Sequence, residues 1–182
     1  MTIANLITLL RIVLVPVIVW AILSDLYLIG FLVFLLAGLS DAIDGTVARY
    51  FDQQTELGTI LDPIADKLML VSVFIALAYL SEIPLWLVIL IVSRDLLIIF
   101  GVMLAFLLSL PVTIRPLWVS KTNTVAQIAL AAWVLFSLAF EIEASNAKLA
   151  LEWITGLLTF LSAAAYLREG VKLFATDKNA IS

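Results

Sequence analysis

Between residues 41 and 66 the chain carries four aspartates at helical spacing. The stretch reads Asp41-x-x-Asp44-Gly45-x-x-Ala48-Arg49, eight further residues, then Gly58-x-x-x-Asp62-x-x-x-Asp66. Long apolar runs flank it on both sides. On helices, residues three or four apart share a face, so each aspartate pair points one way. The polar link Phe51-Asp52-Gln53-Gln54-Thr55-Glu56 would then join two helices that aim four carboxylates at one another. Four buried anions without counter-charge are very costly, and divalent cations held by oxygen ligands answer that cost. Cations between paired carboxylates commonly serve phosphate or pyrophosphate: they neutralise its oxygens, align the leaving group and stabilise charge in the transition state. Gly45, Ala48 and Gly58 let a bulky planar or phosphate group approach the backbone. Arg49 offers a planar fork to a phosphate. Asp66, the carboxylate furthest along its helix, suits both metal binding and general-base work on an acceptor hydroxyl. A substrate with both a pyrophosphate and lipid tails would explain a charged site in so apolar a chain.

The elements that hold this stretch must lie in a membrane. Of the 182 residues 64% are hydrophobic and only 13% charged, and the mean hydropathy is +1.20. A soluble domain carries about twice that share of charge. Histidine and cysteine are both absent, which excludes disulfides, zinc–thiolate sites and His-based catalysis. Acid–base work falls to carboxylates, Lys, Tyr or water. The net charge of −4 matches the clustered aspartates and implies no nucleic-acid partner. No cleavable leader is expected, since the first apolar run lacks an Ala-x-Ala-like end and contains Arg11. Neither an internal repeat nor a low-complexity linker interrupts the chain, so residues 1–182 read as one domain.

A spanning helix needs about 20 apolar residues. By that measure there are six spans: Asn5 to Leu23, Tyr27 to Tyr50, Thr59 to Leu80, Leu85 to Leu108, Lys121 to Phe140 and Leu149 to Phe174. Ser81-Glu82-Ile83-Pro84 separates the third from the fourth, and a polar link from Ser109 to Ser120 precedes the fifth. Arg49, Arg115, Lys121, Arg168, Lys172 and Lys178 fall on one side. The opposite side holds Asp25, Glu82, Glu141, Glu143 and Glu152, with Lys148 its only cation. The positive-inside rule then places both termini and the aspartate hairpin in the cytosol. The expected fold is all-α: a polytopic integral membrane protein with six transmembrane helices around a cytosol-facing polar cavity.

Polar residues inside the apolar runs are expensive in hydrocarbon and therefore informative. Asn5, Thr8 and Arg11 form one stripe of the first span, Lys67 follows Asp66, Arg94-Asp95 lies mid-way along the fourth span, and Lys121 to Thr124 with Gln127 opens the fifth. All could line one cavity. Plainer readings stand beside these. Asp52 and Glu56 suit a solvated loop. Arg94 and Asp95 can neutralise one another, Asn5-Thr8-Arg11 can be packing glue, and Lys121, Arg168, Lys172 and Lys178 can be interfacial charge. Trp86 and Trp153 read as interfacial belt residues.

At all eight fixed positions and at every spacing, the 41–66 stretch resembles the signature of the CDP-alcohol phosphotransferases. Asn5-x-x-Thr8-x-x-Arg11-x-x-x-x-Pro16 is similar to the branch of bacterial phosphatidylglycerophosphate and cardiolipin synthases, and the resemblance covers about residues 2–174. It implies a six-helix membrane enzyme, a homodimer, which takes CDP-diacylglycerol and a hydroxyl acceptor. The acceptor attacks the phosphorus that bears the diacylglycerol, and CMP leaves. It also implies two divalent ions, Mg2+ or Mn2+, held by Asp41, Asp44, Asp62 and Asp66, with Asp66 as base. Gly45, Ala48, Arg49 and Gly58 become CDP-binding positions, with Asn5 and Thr8 near the same nucleotide.

For the acceptor, Ala37-Gly38-Leu39-Ser40-Asp41, Ser93-Arg94-Asp95 and the segment Ile114 to Thr124 resemble the cardiolipin synthases of this family. Glycerophosphate-using relatives usually carry Arg-Glu where this chain has Arg94-Asp95. The expected acceptor is phosphatidylglycerol, bound by Arg94, Arg115, Lys121 and Asn123, with glycerol 3-phosphate the alternative. The expected setting is a bacterial inner membrane with the site facing the cytosol. Among other classes, a cation transporter would not need Gly45, Arg49 and Gly58 at fixed offsets. A membrane prenyltransferase would need more helices, and a scaffold would not need four aspartates.

Overall fold

The computed structural model describes residues 3–50, 56–107, 118–143 and 145–178; side chains are described at 9–38, 65, 67–101, 103–104, 107, 118–143 and 146–170. Six helices follow one another: α1 (Ile3–Leu23), α2 (Tyr27–Tyr50), α3 (Glu56–Tyr79), α4 (Leu85–Leu107), α5 (Trp118–Ala139) and α6 (Ser145–Lys178). No strand occurs among the described residues.

Four helices start earlier than the apolar runs suggest, α1 among them, at Ile3 instead of Asn5. α3 opens at Glu56 instead of Thr59, α5 at Trp118 instead of Lys121, and α6 runs from Ser145 to Lys178 where the apolar run covers Leu149 to Phe174. Hydropathy marks what hydrocarbon favours, whereas the helix continues until its backbone hydrogen bonds stop. Glu56 therefore opens a helix, where an acidic residue suits the positive end of the dipole. In α5 the hydroxyl of Thr122 donates back to the carbonyls of Trp118 (3.2 Å) and Val119 (3.0 Å).

α1 packs on α2 and α3, α3 on α4, α4 on α6, α6 on α5, and α5 on α2. The helices thus close a ring, and α3 meets α5 across it. Ile18 and Ile22, Phe34, Phe74 and Leu77, Leu87 and Ile91, and Leu130 and Leu135 fill the middle, each almost wholly buried. The distribution of polarity is inverted relative to a water-soluble bundle. Arg11, Arg94, Asp95, Asn123 and Gln127 are buried, while Trp20, Leu36, Ile75, Ile89, Phe100, Val125 and Phe160 face outward. An apolar exterior around a polar interior is what a hydrocarbon solvent selects. Among the described residues, two segments, Trp118–Ala139 and Asn146–Gly170, are long and apolar enough to cross a membrane.

The odd-numbered helices end alike. Asp25 (φ 60°), Ser81 (φ 62°) and Glu141 (φ 52°) each take the left-handed conformation just beyond a helix. The amide of Leu26 then reaches the carbonyl of Ala21 (2.9 Å), Glu82 reaches Leu77 (2.9 Å) and Ile142 reaches Ser137 (2.9 Å). These wrapped ends satisfy carbonyls that a helix otherwise leaves open. Glu82 accepts from Lys148 Nζ at 2.7 Å, which ties the α3–α4 turn to the start of α6. Its charge also acts on Tyr27, whose hydroxyl donates to Asp25 at 2.6 Å. The three turns therefore gather at one end of the bundle.

Candidate active site

The aspartates belong to the opposite end. In α1 the buried positions run Ile22, Ile18, Val15, Arg11 toward the N-terminus, and in α2 they run Gly30, Phe34, Ala37 toward the C-terminus. In helical register the first stripe continues to Thr8 and Asn5 and the second to Asp41, Asp44 and Ala48. In α3 the buried positions Phe74, Val73, Leu70, Met69 lead back in register to Asp66 and Asp62. The start of α1, the end of α2 and the start of α3 thus bring these positions to one end. The side chains of Asn5, Thr8, Asp41, Asp44, Ala48, Arg49, Asp62 and Asp66 lie outside the described residues, as do Gly45 and Gly58 beyond their helical backbone. Asp52 and Arg115 lie outside them altogether. Among the described residues no group of three acidic, His or Cys side chains stands together. The donor set itself, four carboxylates in a chain without His or Cys, suits a hard, oxygen-seeking ion such as Mg2+ or Mn2+.

From Lys67, next to Asp66, the described residues show a charged network across four helices. Asp95 Oδ1 accepts from Arg94 Nη1 at 2.7 Å and also pairs with Lys67 Nζ. Arg94 is 2% exposed. Its Nε donates to Ser162 at 3.0 Å and its Nη2 donates to Ser162 at 2.8 Å and to Ser120. The ring of Tyr166 lies 5.7 Å from the guanidinium. A guanidinium has five N–H donors, and protein groups take most of Arg94's. The mutual neutralisation of Arg94 and Asp95 is therefore present, and Lys67 joins it from α3. The helix-buried guanidinium costs little here because every side of it meets an acceptor or a π face.

Further along α5 a polar seam faces α6. Asn123, fully buried, accepts from the Thr159 hydroxyl at 2.8 Å. The one Thr159 hydroxyl hydrogen is shared between Asn123 Oδ1 and the Thr155 carbonyl, 2.7 Å away, and Thr155 donates to the Ala126 carbonyl at 3.4 Å. Among the described residues, the amide nitrogens of Asn123 and Gln127 have no hydrogen-bond partner. Lys121, by contrast, is exposed, with its ammonium 5.4 Å from the centre of the Trp118 ring. Arg94, Asn123 and Gln127 are thus brought into one α4–α5–α6 junction, and Lys121 stands outside it.

Sequence reasoning picked out the run from Ser120 to Thr124 but passed over Ser162, Thr159 and Tyr166. Their signal was available: Thr155, Thr159, Ser162 and Tyr166 recur every three or four residues in the apolar run of α6. Trp86 and Trp153 also gain a role beyond the belt. Their rings meet at 5.5 Å, which joins the start of α4 to α6.

Residues 1–161 match the family described as CDP-alcohol phosphatidyltransferase. Over 94% of its length the chain is 35% identical to the cardiolipin synthase (CMP-forming) of Rattus norvegicus, of which it covers 62%. Over 89% it is 33% identical to the CDP-diacylglycerol–glycerol-3-phosphate 3-phosphatidyltransferase 1, chloroplastic, of Oryza sativa subsp. japonica, of which it covers 55%. Over 51% it is 38% identical to a probable phosphatidylglycerophosphate synthase of Mycobacterium tuberculosis, covering 47% of that protein. The chain spans less than two thirds of the length of each of these curated relatives. With a complete aspartate signature on two consecutive helices and a family match over most of its length, this chain belongs to the CDP-alcohol phosphatidyltransferase family.

Proposed function

We propose that this protein transfers a phosphatidyl group from CDP-diacylglycerol to the hydroxyl of phosphatidylglycerol, giving cardiolipin and CMP. The observation that carries the reading is the eight-position signature from Asp41 to Asp66, complete and set on consecutive helices. Asp41, Asp44, Asp62 and Asp66 hold two divalent ions, Mg2+ or Mn2+, which neutralise the pyrophosphate when bound. Gly45, Ala48 and Gly58 keep the wall low for the cytidine and its phosphates, Arg49 forks onto a phosphate, and Asn5 and Thr8 flank the nucleotide. Asp66 takes the proton of the acceptor hydroxyl. The acceptor oxygen forms a bond to the phosphorus bearing the diacylglycerol, the bond from that phosphorus to the oxygen of CMP breaks, and the proton on Asp66 passes to water.

Arg115, Lys121 and Asn123 serve the acceptor side, with Arg94 behind them. The six helices span a bacterial inner membrane with the site open to the cytosol, and two copies form the working unit. The inverted polarity of the bundle supports the membrane setting. Glycerol 3-phosphate as acceptor is the second reading, supported by the similarity to the rice protein over 89% of the chain.

The deciding experiment supplies purified protein with labelled CDP-diacylglycerol, Mg2+ or Mn2+, and a panel of phosphatidylglycerol, glycerol 3-phosphate and inositol phosphate, with products read by mass. Cardiolipin and CMP are expected. Phosphatidylglycerophosphate instead would shift the acceptor, and no CMP with any acceptor would overturn the reading.

A further inference from the structure

We propose that Asp95 is a positioning residue: braced by Arg94, it clamps Lys67 and so fixes the register of the α3 turn that carries Asp62 and Asp66. The inference rests on the metal-binding role read for those aspartates. Lys67 directly follows Asp66 in the same helix, so holding one holds the backbone of the other. Asp95 is 6% exposed and gives Oδ1 to both cations. Arg94 is held from two other helices, by Ser120 on α5 and by Ser162 and Tyr166 on α6, and pairs with its neighbour Asp95 on α4. The brace therefore runs from α5 and α6 through Arg94 and Asp95 to α3. α3 and α4 otherwise meet mainly through apolar side chains such as Val73, Leu77, Leu87 and Ile91, which tolerate sliding better than a directional charge pair does. Partners that orient a metal's ligands typically change affinity or activity about 10–100-fold when removed.

A second ion pair in the same molecule supplies the control. Lys148 and Glu82 also join two elements at 2.7 Å, but at the turn end. The test compares the full-length parent with D95N, D95E, K67M, D95N/K67M and E82Q in one detergent. Mn2+ binding is read from the loss of the free-ion paramagnetic signal, and CMP release gives kcat and the KM for CDP-diacylglycerol.

D95N and K67M are each expected to weaken Mn2+ binding about 10-fold and to lower kcat about 10–100-fold. The donor KM should stay within about threefold, and the double variant should be no worse than the worse single one, as for groups acting as a unit. D95E should recover part of the loss, and E82Q should leave Mn2+ binding unchanged. Parental Mn2+ binding in D95N, or a double loss equal to the product of the single losses, overturns the inference. So does an equal loss in E82Q, which would mark a general destabilisation. If D95N does not fold, K67M and D95E decide by the same two readouts. A parent that binds Mn2+ yet releases no CMP sinks the functional reading alone, and the Mn2+ ratios still decide this one. A parent that binds no Mn2+ sinks both.

Discussion

A β-carbon added to Gly156 on α6 would stand 2.9 Å from two ring carbons of Trp86 on α4. The indole closes over the glycine and meets Trp153, one turn earlier, at 5.5 Å. Gly156→Ala should therefore force the ring aside. Overpacking of this kind costs about 1–3 kcal/mol. Thermal melting in detergent should show the loss, and adding Trp86→Leu should return most of it. A Gly156→Ala variant that melts with the parent would mean that the ring moves freely.

The Asn123–Thr159 bond predicts an asymmetry. Thr159→Val leaves the Asn123 carbonyl oxygen in a fully buried place without its donor. Stranding such a group costs about 1–3 kcal/mol. Replacing both partners by apolar groups, as Asn123→Leu with Thr159→Val, removes the need on both sides and should melt closer to the parent than Thr159→Val does. Additive losses in the three variants would contradict this.

Asp66→Asn keeps the size of the side chain and an oxygen ligand but cannot take up a proton as carboxylate does. Turnover should fall about 100- to 10,000-fold, the range for removing a positioned general base. Binding of a CDP ligand, measured by calorimetry, should change far less. A variant that turns over near the parental rate would move the base elsewhere.

On the acceptor side, Lys121→Met removes a charge from the first turn of α5, and Arg115→Gln removes one from the sequence just before it. The acceptor KM should rise about tenfold, in line with the loss of one hydrogen bond to a charged group. The donor KM should hardly move, because the proposed function gives that half to Asp41 to Asp66. The reverse pattern would assign these residues to the nucleotide.

Six helices were legible because six runs of apolar residues are broken by Ser24-Asp25, by Ser81 to Pro84 and by Glu141 to Ser145. Their ends were less so. Ser145 to Lys148 and Thr176 to Lys178 are helical though polar, since a backbone hydrogen bond does not depend on hydropathy. The aspartates stood out because charge in an apolar chain demands a reason. Ser162 and Thr159 did not, since a hydroxyl in an apolar helix can bond its own backbone and reveals its partner only once two helices are packed. The same holds for Arg94. Adjacent opposite charges suggest a pair, but only the approach of α5 and α6 shows that the guanidinium is enclosed on all sides.

The left-handed caps at Asp25, Ser81 and Glu141 make the turn end of the bundle a fulcrum. Each hairpin is tied there by wrapped backbone bonds, with the Lys148–Glu82 link as a cross-brace. A helix of this length reaches about 35 Å from such a pivot. A tilt of only about 5° therefore moves its free end by about 3 Å. A small error of angle at the turn end is thus magnified at the end that carries the aspartates, where the Lys67–Asp95–Arg94 contacts tie α3 to α4.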